Sequence, residues 1–226
     1  MTSSAVTATG EGPRAEEAPA SGKEAARQVG GAVAAQNQPG DREAPDEAIR
    51  LHLEGVAGDD DAAERALGRL IELHGADPAD NLTAAYLGSA RVLAAKRYLA
   101  PWKKGETCMQ GLALLDEAVE SAPEDLEIRF LRAVSTYPLP AFFRRRAESA
   151  ADFAWLAARC EKAVEDERLS PAVAALSLVR HGDVHAPDDL ASARDAWQLA
   201  CELAPGTEAA REAAEKLADT EPHRAD

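Results

Sequence analysis

From Asp46 to Asp219 the chain is cut by proline- and glycine-bearing breaks into short segments whose apolar residues recur at helical spacing. This division leaves no alternating run for a sheet. Pro45-Asp46 opens a first helix through Ile49, Leu51 and Leu53, which Gly55 and Gly58 close. Asp59-Asp60-Asp61 sets negative charge at the start of a second helix, where the helix dipole favours it. That helix carries Ala66, Leu67, Leu70, Ile71 and Leu73 until Gly75 and Pro78. A third helix is expected over about 80–98. The fourth, over about 104–121, presents Leu112, Leu115 and Val119 and stops at Pro123. The fifth starts at Glu124-Asp125 and is broken by Pro138 and Pro140. Four more are expected over about 147–166, 171–181, 188–203 and 207–219. The reading is an all-α protein of about nine helices arranged as antiparallel pairs.

Composition enters where it excludes. Aromatic residues make up 4% of the chain, too few for a large sandwich or barrel. A net charge of −15 disfavours a nucleic-acid partner, which needs a basic face. The first 48 residues hold no Leu, Ile, Phe, Tyr or Trp and cannot bury enough apolar surface to offset the entropy of ordering. Residues 1–44 are therefore expected as a disordered tail, 45–220 as the helical domain and 221–226 as a disordered terminus. The N-terminus lacks the basic start and apolar run of a secretory signal, and no stretch approaches the ~20 apolar residues of a membrane span. Cys108, Cys160 and Cys201, odd in number and widely spaced, fit reduced thiols and a cytoplasmic protein.

Near the ends of the second helices one pattern returns: a small or apolar residue, a bulky residue four later, a small or apolar one three further on, then proline five beyond that. It reads Ala66-Leu70-Leu73-Pro78, Gly111-Leu115-Ala118-Pro123 and Ala193-Trp197-Ala200-Pro205. A weaker copy, Leu156-Cys160-Ala163, has Arg168 in place of proline. The small residues allow close helix approach, the bulky one fills the gap to the next pair, and proline forces the turn. In these blocks, and in the Tyr86-Leu87-Gly88 of a first helix, the chain resembles the tetratricopeptide repeat family. The resemblance implies a short right-handed solenoid of stacked helix pairs that binds proteins or peptides without catalysis. Two intervals are much longer than the family's ~34-residue period, so the connections after the third and fifth helices are expected to be extended.

Those two connections carry the candidate site: Lys96, Arg97, Tyr98, Trp102, Lys103 and Lys104 in residues 96–104, and Phe142, Phe143, Arg144, Arg145 and Arg146 in residues 137–146. Between Arg91 and Arg146 there are ten Lys or Arg against seven Asp or Glu, a local surplus of three in a chain of −15. Both segments follow the first helix of a pair, so a solenoid puts them on one edge. Aromatics beside forked cations suit an acidic or amphipathic protein partner. The alternative is an anionic membrane surface. In a competing reading Trp102, Phe142 and Phe143 are satellite core and the cations neutralise neighbouring acidic helices; solvent exposure separates the two. A third reading, a metal-dependent enzyme using His181 and His185, is disfavoured because Gly182 and Pro187 mark that stretch as a helix end and loop. No phosphate loop, nucleophile elbow or Cys-His arrangement is present, so neither catalysis nor a cofactor is expected. The polar last helix suits a solenoid cap and points to a monomer.

Overall fold

The computed structural model describes residues 43–220; the expected tail and C-terminus lie outside them, apart from the first residues of the first helix. Among the described residues there are ten α-helices, one 3-10 turn and no strand. In chain order they are α1 (Glu43–Val56), α2 (Asp60–Ala76), α3 (Asn81–Ala95), α4 (Pro101–Ser121), α5 (Leu126–Thr136), the 3-10 turn (Ala141–Phe143), α6 (Arg146–Ala157), α7 (Cys160–Glu165), α8 (Pro171–His185), α9 (Leu190–Leu203) and α10 (Glu208–Asp219). The protein is all-helical, and none of these helices is long and apolar enough to cross a membrane.

The helix starts follow from side-chain capping. Asp59, Asp80, Asp125, Ser170, Asp189 and Thr207 each accept a hydrogen bond from a backbone N–H in the first turn that follows, satisfying donors the helix itself leaves open. Pro101 and Pro171 occupy first-turn positions, where a missing N–H costs nothing. One turn recurs in three places: Asp77-Pro78-Ala79-Asp80, Ala122-Pro123-Glu124-Asp125 and Ala204-Pro205-Gly206-Thr207. In each, the N–H of the last residue reaches the carbonyl of the first at 3.1–3.3 Å, and the last residue caps the next helix. The fourth place, where Arg168 replaces proline, is irregular. The expected sixth helix is broken into α6 and α7 at Ala158-Arg159, and Glu167 adopts a left-handed φ of 57° before Ser170 caps α8.

Two other boundaries differ from expectation. Helix α4 begins at Pro101 rather than near residue 104, because Pro101 is pre-set for a first turn. The connection after α3 is therefore short, and Trp102, Lys103 and Lys104 ride on a helix. Helix α8 continues through Gly182 to His185 instead of ending near residue 181. Gly182 is there for contact: a Cβ on it would collide with the Trp197 indole and lie 3.0 Å from the Ala193 carbonyl oxygen.

Consecutive helices pack as α1 on α2, α3 on α4, α5 on α6 and α8 on α9. The second helix of each pair then touches the first of the next, α2 on α3, α4 on α5, α6 on α8 and α9 on α10. First helices also meet, α1 with α3, α3 with α5 and α8 with α10. Residues from 83 to 90 in α3 and from 173 to 179 in α8 are consequently buried on every face. A polar thread crosses the first three of these helices. The buried His52 ring lies 3.1 Å from the Ser89 hydroxyl, Ser135 donates to Ser89 at 3.0 Å, and His52 stands edge-on to Tyr86, whose hydroxyl donates to Glu127. His52 is thus a core residue.

Burial lowers the His52 pKa from 6.5 to about 4. The unfolded chain therefore takes up a proton near pH 6.5 that the folded chain refuses until about pH 4, so stability is complete above the first value and falls between them. Urea unfolding should show a loss of about 2 kcal/mol between pH 7 and pH 5. In His52→Gln most of that pH dependence should disappear; an unchanged dependence would contradict the assignment.

Candidate functional site

From the Gly88–Gly111 contact, α3 runs seven residues to its end at Ala95 while α4 runs ten back to Pro101, so the first turn of α4 stands clear of its partner. Leu99 is 100% exposed and Trp102 77% exposed there, with Lys103 and Lys104 exposed beside them. Met109, seven residues after Trp102 and so on the same face of α4, is 53% exposed. The Lys103 ammonium sits 4.8 Å from the centre of the half-buried Tyr98 ring. Lys96 and Arg97 are both exposed, but Arg97 is engaged along the surface. It donates to the Asp60 carbonyl at 2.8 Å and faces the Asp60 and Glu64 carboxylates, tying the end of α3 to the start of α2.

The second segment, residues 137–145, is long enough to fold back. Phe143 is half-buried against the core, and Phe142 stacks on it with ring centres 4.6 Å apart while remaining 77% exposed. Arg144 holds a left-handed φ of 57°, which ends the 3-10 turn and points the chain into α6. Arg144 and Arg146 are exposed. Arg145 is not a surface cation: it donates to Asp116 of α4 and Glu148 of α6, each at 2.8 Å. Burial opposes its charge, but the hydrogen bonds and the negative charges of Glu148 and Asp116 together outweigh it and raise its pKa.

Arg145 belongs to a buried brace that sequence reasoning did not identify. Asp152 of α6 is fully buried and accepts from Arg129 at 2.9 Å and from Arg132 at 2.7 and 2.9 Å. Arg132 also approaches Asp116. Arg129 lies 4.5 Å and Arg159 3.9 Å from the Trp155 ring centre, on α6. The available signal was the pairing of Arg129 and Arg132, three apart on one face of α5, but their partner lies twenty residues away and only folding brings it near.

Burial raises the pKa of Cys108, while Arg145 and Lys96 both act electrostatically to lower it. Cys160, whose thiol donates to the Ala174 carbonyl, is pushed up to about 12 by burial. Neither is a nucleophile at neutral pH. His181 and His185 sit on α8 one turn apart, with ring centres 4.5 Å from each other and inclined by 70°. Burial, then the neighbouring His185, lowers the His181 pKa.

No protein-family model matches the chain, and no curated protein or solved structure matches it either. Its functional reading rests on these residues.

The eleven candidate residues therefore divide. Lys96, Trp102, Lys103, Lys104, Phe142, Arg144 and Arg146 present themselves to solvent; Arg97 is an exposed surface tie and Arg145 an internal one; Tyr98 and Phe143 are half-buried supports. The division is measurable by urea unfolding. Asp152→Ala strands Arg129 and Arg132 and should cost about 3–5 kcal/mol, while Arg144→Ala and Arg146→Ala should each stay within about 0.5 kcal/mol of the parent.

Proposed function

We propose that the chain is a non-enzymatic interaction scaffold of the tetratricopeptide type. In this reading it is a short right-handed solenoid of antiparallel helix pairs, acting as a monomer in the cytoplasm. Its basic aromatic edge, residues 96–104 and 137–146, captures an acidic or amphipathic protein segment. The observation that carries the reading is the exposure of Trp102, on the first turn of α4 beside Lys103 and Lys104, and of Phe142, in the 3-10 turn before Arg144 and Arg146, each 77%. Large exposed aromatics beside cations are what a protein-binding hot spot needs, since they supply rigid contact area while the cations steer and fix an acidic partner. The repeat reading is supported by the Pro-x-cap turn that recurs between pairs and by the order in which second helices meet first helices. It is supported too by the shared contact of Gly88 on Gly111 and Leu115, and of Gly182 on Ala193 and Trp197, in which the small and bulky positions of the recurring pattern play the same parts.

One observation favours a second reading. Leu99, Trp102 and Met109 with Lys103 and Lys104 form a short amphipathic knob of the kind that enters an anionic membrane interface. The net charge of −15 opposes it, because a like-charged surface repels most of the molecule at close range.

Capture from cell extract, quantified by mass spectrometry, tests the scaffold reading with two variants that spare the buried brace. Arg144→Glu/Arg146→Glu and Trp102→Ala/Phe142→Ala should each lose specific partners by about tenfold or more while unfolding at the parent's urea midpoint. Undiminished capture by both would rule the edge out as the binding surface. Cosedimentation with phosphatidylserine vesicles that is lost in the same variants would transfer the function to the membrane.

A further inference from the structure

The extension of α8 through Gly182 changes what its last turn can do. His181 and His185 are four apart on a continuous helix, and their rings meet edge-on with centres 4.5 Å apart. This is the spacing at which two imidazoles on one helical face share a metal ion. We propose that His181 and His185 form an open, two-imidazole site for a borderline divalent transition-metal ion at the C-terminal turn of α8.

Three further features of the turn favour a cation. The pair stands at the carbonyl end of the helix, where the aligned peptide dipoles place partial negative charge. The exposed Asp189 carboxylate, cap of α9, lies within electrostatic reach of His185, and the N–H groups of Asp188 and Asp189 fold back onto the His185 carbonyl, fixing the chain there. The Nδ1 atom of His181 is shielded from solvent and has no hydrogen-bond partner among the described residues. An imidazole nitrogen closed off in this way is destabilising, and ligation at the pair offers it a role.

The donor set specifies the class of ion. Two neutral imidazoles suit copper(II), nickel(II) or zinc(II) and not magnesium or calcium, which require oxygen ligands. Among the described residues no group of three or more His, Cys, Asp or Glu is placed to hold a metal. Water or a donor from another molecule therefore completes the coordination, and the ion exchanges readily, unlike one in a closed four-ligand structural site. The proposal does not rest on the scaffold reading.

Isothermal titration of untagged, full-length protein with copper(II), nickel(II), zinc(II) and magnesium(II) tests the proposal. The expected result is one equivalent of each transition metal, copper bound more tightly than zinc or nickel, with no magnesium binding. His181→Ala and His185→Ala should each weaken binding by roughly tenfold or more, and His74→Ala and His223→Ala should leave it unchanged. His185 lies at the helix end, so His185→Ala remains informative should His181→Ala disturb the fold; circular dichroism identifies that case. Absence of stoichiometric binding, or binding equally strong in folded His185→Ala, would overturn the proposal.

Discussion

Three of the four consecutive helix pairs, α1–α2, α3–α4 and α8–α9, are held at a separation that only glycine permits. A Cβ on Gly88 would lie 2.7 Å from the Gly111 carbonyl oxygen, and one on Gly111 would lie 2.5 Å from the Gly88 carbonyl oxygen, so α3 and α4 touch backbone to backbone. A Cβ on Gly55 would lie 2.6 Å from the Ala63 Cβ in the α1–α2 pair, and one on Gly182 would collide with the Trp197 indole in the α8–α9 pair. Such contacts fix the register of two helices more firmly than interdigitating side chains do, because neither backbone can swing aside. The register then decides what is displayed. Fixing α4 against α3 at Gly111 leaves the first turn of α4, with Trp102, standing beyond its partner.

The charged residues divide according to the same geometry. Three arginines, Arg129, Arg132 and Arg145, converge on Asp152, Asp116 and Glu148 and join α4, α5 and α6 where the pairs are most irregular. Arg180 and Lys216 form a matching set with Asp183 and Glu212 and join α8 to α10. In an acidic chain these internal pairs take up cations that would otherwise soften the surface charge. Lys96, Lys103 and Lys104 stay exposed beside Trp102, and Arg144 and Arg146 beside Phe142, while other exposed cations such as Arg65, Lys162 and Arg168 lie away from these segments.

What could be read from the sequence was whatever is written locally. Caps and prolines placed most helix boundaries within a few residues, since Asp59, Asp125 and Pro123 act on their immediate neighbours. The small–bulky–small pattern of the second helices was legible because its buried residues, among them Ala66, Leu70, Leu115 and Trp197, recur at helical spacing. The misreadings share one cause. Gly182 was read as a helix stop because glycine's local cost is visible and its distant contact with Trp197 is not; the metal reading of His181 and His185 was set aside on that ground. Arg145 looked like its neighbours Arg144 and Arg146 until folding brought Asp116 beside it. Asp152 and His52, the most consequential buried polar side chains, carry no local mark at all, because their partners lie 20 to 37 residues away.

The central claim is that backbone contact at glycine sets the helix pairs. It is tested most directly by comparing urea unfolding of Gly88→Ala with that of Gly68→Ala. Alanine favours an isolated helix over glycine by up to about 1 kcal/mol at either position, and Gly68 has nothing within 4 Å of its missing Cβ. The account predicts that Gly68→Ala is stabilised by up to that amount and that Gly88→Ala is destabilised by about 1–3 kcal/mol. Equal stabilisation of both variants would contradict it.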